Sequence, residues 1–326
     1  MSAPPVPTDL LRVADLSPAQ LEALLDLAAT MKAQPHGFVD AFRGESVALY
    51  FEKPSTRTRV SFAAAAERLG MAPIALRPDE LQLGRGEPVS DTGIVLSSYV
   101  SAIVARVFSH RLLEELAAAA TVPVVNALSD DHHPCQALAD LLTIRERVGR
   151  LRGTKLAFVG AGNNVAHSLL EAGALQGMHV AVASPLGYGP RIEVLERVAW
   201  IADDTGAELT ATDDPIEAVT GADAVYTDVW ASMGEEAEVE GRRRALAPYQ
   251  VDEALMAHAR PGAIFLHCLP AHRGEEVTAE VIDGPQSAVW QQAENRLSTE
   301  EALLAVLAGR DWTIQATRPE PLTALY

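Results

Sequence analysis

Ser55-Thr56-Arg57-Thr58-Arg59 gathers hydroxyls and two guanidiniums into five consecutive residues. The apolar run Val47–Phe51 before it has the character of a buried strand. The alanine-rich run Val60–Leu69 after it, ended by Gly70, has the character of a helix. The hydroxyls and guanidiniums are thereby expected where a strand turns into a helix N-terminus. Unpaired backbone N–H groups and the helix dipole favour an anion there. Arginine adds a planar fork that matches phosphate oxygens two at a time. An ordinary Ser/Thr N-cap with surface arginines is the plainer alternative. Both arginines within four residues of the cap favour the oxyanion site.

Other residues carry weaker signals singly. His133-Pro134-Cys135-Gln136 offers a donor and an amide at a helix start, where a histidine can also merely cap. The pair His132-His133 suggests a metal, but no His, Cys or carboxylate stands three or four residues beyond His133, the residue next to the helix start. Asp140 is one helical step too far and is expected in an internal polar contact. Gly160-x-Gly162 after a strand suggests a nucleotide, yet Val165 replaces the third glycine and the next strand ends in Ser184 rather than an acid. Asn163 and Asn164 can grip a carboxylate or cap a helix, and capping is the simpler use. Asp228-Val229-Trp230-Ala231-Ser232-Met233-Gly234 sets a carboxylate, suited to an ammonium group, ahead of a serine-containing loop. Cys268 ends an apolar run as inert core cysteines do, but Pro270 and the polar residues after it suggest an open face.

Strand-like and helix-like runs alternate along the chain, the pattern of parallel α/β domains, here two doubly wound sheets. The expected strands are Val47–Phe51, Pro73–Leu76, Ala102–Phe108 and Val122–Leu128, then Lys155–Val159, His179–Ala183, Glu208–Ala211, Ala224–Val229 and Ala263–Leu269. Helices are expected over Leu112–Ala120, Pro134–Val148 and Thr299–Ala308. The domains are expected at 1–150 and 151–298, with a terminal helix over about 299–326 packing on the first and interdomain helices joining them. In this scheme the candidate residues fall at the carboxyl ends of strands, where open α/β sheets bind ligands.

Composition narrows the field. A length of 326 residues with 48% hydrophobic residues allows two ordinary cores. The net charge of −18 disfavours nucleic acid and anionic membranes as partners. A phosphate site must then be built as a local positive pocket against the chain's own field. Two cysteines make no disulfide framework, and the N-terminal residues lack signal-peptide character. No run reaches the roughly 18 apolar residues of a membrane span, so a soluble, cytoplasmic protein is expected.

Together, Phe51-Glu52-Lys53-Pro54-Ser55-Thr56-Arg57-Thr58-Arg59 and His133-Pro134-Cys135-Gln136 resemble the two signatures of the aspartate/ornithine carbamoyltransferase family. Asp228 with Ser232-Met233-Gly234, and His267-Cys268-Leu269-Pro270, are similar to its ornithine branch. The resemblance implies carbamoyl transfer from carbamoyl phosphate to L-ornithine, giving citrulline and phosphate. It assigns Ser55, Thr56, Arg57 and Thr58 to the phosphate, and Thr58, Arg106 and His133 to the carbamoyl oxygen. Gln136 falls to the carbamoyl amine, while Cys268, the Leu269 carbonyl and Arg296 complete that substrate's contacts. Asn164, Asp228, Ser232 and Met233 match ornithine-binding positions, with Asp228 and Cys268 handling the attacking amine and its proton. Gln82 matches a residue that reaches a neighbouring subunit, which implies a homotrimer. No metal or organic cofactor is implied. Ile94 stands where the family commonly has arginine and Ala63 where it has glutamate, so helix packing or the subunit interface is expected to differ there. The alternatives are a carbamoyltransferase for another amino acid, a silent ligand-binding homologue and an NAD-dependent dehydrogenase.

Overall fold

The computed structural model describes residues 4–79, 81–83, 86–230 and 239–314. The chain divides into one unit of Met1–Leu138 with Asn295–Tyr326 and a second of Ala139–Glu294.

In the first unit α1 (Pro18–Ala33) precedes β1 (Ser46–Phe51), α2 (Arg57–Arg68), β2 (Ala72–Leu76), α3 (Val89–Ser97), β3 (Ala102–Arg106), α4 (His110–Ala119), β4 (Val124–Leu128) and α5 (Pro134–Val148). The strands form one parallel sheet in the order β2-β1-β3-β4. β1 and β3 are buried and read as continuous apolar runs, as strands covered on both faces do. β2 lies at the edge, which is why it is largely exposed and can hold Pro73. Pro18 at the start of α1 follows Ser17, which accepts the Gln20 N–H while the Gln20 side chain accepts the Ser17 N–H.

The second unit runs β5 (Lys155–Val159), α6 (Asn164–Leu175), β6 (His179–Ala183), α7 (Ile192–Thr205), β7 (Glu208–Thr212), α8 (Pro215–Val219), β8 (Ala224–Thr227), α9 (Val239–Leu246), α10 (Glu253–Met256), β9 (Ile264–His267), α11 (Ala279–Ile282) and α12 (Val289–Gly309). Its parallel sheet has the order β7-β6-β5-β8-β9. Strand order reverses between β1 and β3 in one sheet and between β5 and β8 in the other. A crevice opens at such reversals, beyond the carboxyl ends of the strands.

Several expected boundaries move. α2 begins at Arg57 rather than Val60, so Arg57, Thr58 and Arg59 form its first turn. β3 stops at Arg106, β4 starts at Val124, and β8 and β9 stop at Thr227 and His267. Asp228 and Cys268 therefore stand just past their ladders instead of inside them. The final helix starts at Val289, ten residues before the expected Thr299, and ends at Gly309, one residue past the expected Ala308. Its early turns carry polar Gln292, Asn295 and Arg296, which are buried and which an apolar-periodicity reading passes over. The tail from 315 lies outside the described residues.

α12 packs Glu301 against α2, with its carboxyl fully buried and Arg68 Nη1 3.5 Å away. Burial outweighs Arg68 and pushes the Glu301 carboxyl up to about 7 from 4.5. The folded state thus holds a proton that the unfolded chain releases, and stability from this site falls as pH rises between about 4.5 and 7. The loss amounts to ~3 kcal/mol at most. Glu301→Gln is expected to raise the melting midpoint at pH 8 and leave it near wild type below pH 4.5, as thermal melts at both pH values would read.

Candidate active site

Two clusters form, one in each unit, each at its strand-order reversal.

In the first unit, β1 delivers Glu52 to Ser55, and α2 opens at Arg57. Thr56 occupies the N-cap position, yet no side chain caps the helix. The ordinary capping use of these hydroxyls is therefore not the one adopted. Thr58 is buried, Ser55 is half-buried, and Thr56 and Arg57 are exposed. The register Phe51↔Arg106 brings Arg106, the last residue of β3, beside this turn. The turn is braced by Glu52, whose N–H donates to the Arg106 carbonyl (2.8 Å) and whose carboxylate accepts the Phe108 N–H (2.8 Å) and the Tyr50 hydroxyl (2.9 Å).

His133 precedes α5 and Gln136 lies in its first turn, both buried. Arg296 of α12, 3% exposed, donates to Gln136 Oε1 (2.8 Å), Thr58 Oγ1 (3.3 Å) and Glu300 Oε1 (2.8 Å from Nε). One guanidinium thus links the anion loop to the second signature. Burial, then the charges of Arg296, Arg106 and Arg57, holds the His133 imidazole well below its usual range. His133 is therefore neutral at physiological pH and able to donate one hydrogen bond without carrying charge. Three guanidiniums bearing on a neutral donor make a locally positive cluster in a chain of net charge −18. Cys135, by contrast, is fully buried, and burial pushes its thiol far up, as an inert core cysteine. Gln82 is exposed on the segment between β2 and α3.

In the second unit the parallel register Thr227↔His267 ends β8 and β9 on the same rung. The next residues, Asp228 and Cys268, are consequently neighbours, and Cys268 Sγ donates to Asp228 Oδ1 at 3.0 Å. Asp228 is 7% exposed, and its Oδ2 accepts from Asn163 Nδ2 at 2.7 Å. Asn163 also caps α6, its Oδ1 accepting the Val165 and Ala166 N–H groups (3.0 and 3.1 Å). One amide thereby fixes both the helix start and the carboxylate. The sequence reading put Asn164 at the site; Asn164 is the first residue of α6, and it is Asn163 that holds Asp228. Of the glycines before it, Gly162 serves packing, since a Cβ there would lie 2.2 Å from the Pro190 nitrogen, whereas Gly160 takes a φ of 144° that favours glycine.

His267 sets the turn that follows. Its Nδ1 accepts the Leu269 N–H (2.8 Å), and its Nε2 faces Glu276 Oε1 (3.2 Å), with both side chains fully buried. An accepting Nδ1 leaves the proton on Nε2, so Nε2 donates to the carboxylate. Leu269 sits at φ 59°, a left-handed conformation costly for a non-glycine residue, and this bond helps retain it. Asp228, His267 and Cys268 bring ligand-type atoms within 4.8 Å of one another, but both His267 nitrogens are already engaged and no lone pair remains for a metal. Sequence reading found neither Glu276 nor this use of His267. Ser232 and Met233 lie outside the described residues. Among the described residues no helix is long and apolar enough to cross a membrane.

Residues 8–146 match the family model described as aspartate/ornithine carbamoyltransferase, carbamoyl-P binding domain, and residues 152–307 match its Asp/Orn binding domain. An ornithine carbamoyltransferase of Acidothermus cellulolyticus is 58% identical over 90% of this chain and 94% of that protein. The enzyme of the same name in Bacillus subtilis is 54% identical over 92% of this chain and 93% of its own length. The structure of the Pyrococcus furiosus ornithine carbamoyltransferase superposes with a TM-score of 0.89 at 49% identity, covering 93% of this chain and 98% of that one. With both domain models matched in order, and the Ser55–Arg59 turn and the Asn163–Asp228 contact standing at the two strand-order reversals, the chain belongs to the aspartate/ornithine carbamoyltransferase family.

Proposed function

We propose that this chain transfers the carbamoyl group of carbamoyl phosphate to the δ-amino group of L-ornithine, yielding L-citrulline and phosphate. The observation that carries the reading is the buried Arg296 joining Thr58 to Gln136, with His133 buried and held neutral by burial and the charges of Arg296, Arg106 and Arg57, next to a helix start whose hydroxyls do not cap it. Those are the donors a phosphorylated carbonyl compound needs.

In this reading Ser55, Thr56, Arg57 and Thr58 hold the phosphate. The neutral amine attacks the carbamoyl carbon, and charge develops on the carbonyl oxygen. Thr58, Arg106 and His133 stabilise that charge, since fixed donors aimed at developing charge supply the largest catalytic term. Gln136 binds the carbamoyl NH₂, the Leu269 carbonyl and Arg296 complete the contacts to carbamoyl phosphate, and phosphate departs with the electron pair of the broken C–O bond. Asp228, Cys268 and Asn164 receive the ornithine side, with Asp228 and Cys268 taking up the proton released as the C–N bond forms. Ser232 and Met233 are assigned to the rest of ornithine by resemblance.

The functional unit is a cytoplasmic homotrimer in which Gln82 reaches a neighbouring subunit. Support comes from the exposure of Gln82 and from apolar Val60, Ile94, Val95 and Tyr99, all exposed on or beside α2 and α3. Ile94 stands among them, which turns the departure from the family's arginine into a more apolar surface.

Citrulline formation across ornithine, lysine, aspartate, N-acetylornithine and putrescine tests the reading. Ornithine is expected to be used at least a hundredfold better than the others by kcat/KM. If another amine overtakes it, the chain serves a different amino acid; no product with any amine would mark a silent homologue.

A further inference from the structure

Behind the Asp228–Cys268 pair lies a set of buried polar groups that the transfer does not use directly. β9 is the edge strand of its sheet, so its outward N–H groups need partners other than a strand. The His267 N–H, one residue before the thiol, donates to Gln292 Oε1 at 2.9 Å. The same amide donates from Nε2 to Asp140 Oδ1 (2.6 Å) and to the Tyr226 hydroxyl (3.0 Å). Gln292 is 1% exposed, and Asp140, Tyr226 and His267 are fully buried. Tyr226 belongs to β8, the strand that carries Asp228. Gln292 thus clasps the ends of the two strands whose next residues are Asp228 and Cys268, and anchors both to Asp140 of α5.

We infer that Gln292 is a positioning residue for Cys268, holding the end of β9 in register with β8 so that the thiol meets Asp228. An amide suits the place because it donates one way and accepts the other. Methionine fills similar space and does neither. A protonated glutamate keeps the acceptor for the His267 N–H and one donor for Asp140, and it loses that donor when it ionises. The kinetic part of the inference rests on the proposed carbamoyl transfer; the geometric part does not.

The test compares Gln292→Met and Gln292→Glu with the wild-type full chain by two readouts. The first is the rate of Cys268 alkylation by iodoacetamide, followed by peptide mass spectrometry with buried Cys135 as internal reference. The second is citrulline formation with both substrates varied. Gln292→Met is expected to alkylate at Cys268 at least threefold faster while Cys135 stays protected. Its kcat/KM for ornithine is expected to fall at least tenfold, with the KM for carbamoyl phosphate within twofold of wild type. Gln292→Glu is expected to approach wild-type kinetics near pH 6 and fall away toward pH 8.5, as the proton bridging it to Asp140 is lost. The titratable groups bearing on that proton are Asp140 from α5, Tyr226 from β8, Asp228 and Cys268 beyond the strand ends, and the His267–Glu276 pair. Wild-type alkylation and ornithine use in Gln292→Met would overturn the inference. So would a Gln292→Glu to wild-type ratio that does not change with pH, or joint exposure of both cysteines, which marks plain unfolding. A wild-type chain that forms no citrulline would remove the transferase reading and leave the alkylation result to decide the positioning role.

Discussion

Arg57→Ala is expected to raise the carbamoyl-phosphate concentration needed for half-saturation by roughly two orders of magnitude while leaving the melting midpoint unchanged. Arg57 is exposed at the first position of α2, so removing its side chain opens no core. What disappears is a fork of charge-assisted bonds to phosphate, each worth about 1.5–3 kcal/mol. Two such bonds at the lower figure total ~3 kcal/mol, or about a hundredfold in affinity. The chain's net charge of −18 deepens the loss, since one fewer local cation opposes it. Arg57→Lys is expected to recover only part, because a point charge cannot repeat the planar two-oxygen contact. Direct binding measurements with carbamoyl phosphate check this, and saturation like wild type would contradict the phosphate assignment.

Asp228→Asn is expected to lower kcat/KM for ornithine by about two to three orders of magnitude and to leave carbamoyl-phosphate binding within a few-fold of wild type. The substitution keeps shape and removes charge. An ammonium or developing ammonium loses a buried counter-ion, an effect of roughly 3–4 kcal/mol for a desolvated charge pair. The neighbours worsen it: Cys268 Sγ and Asn163 Nδ2 both donate to this carboxylate, and an amide offers one acceptor oxygen where two are used. One donor is therefore left without its partner. Steady-state kinetics with each substrate varied separates the outcomes, and an equal loss in both substrates would count against an ornithine-side role.

The two expectations draw on different levels of the molecule. The place of Arg57 at a helix start was legible in the chain because a strand, a hydroxyl-rich turn and a helix start follow each other within about a dozen residues, and local chemistry dictates what such a turn is suited to hold. β5 and β6 were legible to the residue for a related reason, since buried parallel strands are continuous apolar runs. The start of α12 was not legible, because its early buried residues are polar and their partners lie far away in sequence. Gln292 is 152 residues from Asp140 and 66 from Tyr226. Periodicity reports which face is apolar and carries nothing about a polar side chain whose burial is compensated by distant hydrogen bonds.

Asn163 and Asn164 show the limit most sharply. Adjacent amides at a helix start are alike in sequence, and a capping residue appears already occupied. Only when β5 and β8 lie side by side does the Asn163 side chain turn its free end to Asp228. Likewise Asp228 and Cys268 are 40 residues apart, and nothing local pairs them. Residue type and local order were enough for the hydroxyl- and arginine-rich helix start and the family pattern, because those depend on neighbours along the chain. The thiol–carboxylate contact, the proton on His267 Nε2 and the clasp of Gln292 depend on strand register and on helices returning across the sheet. They came into existence with the packing, since a parallel ladder is what sets two distant strand ends on one rung.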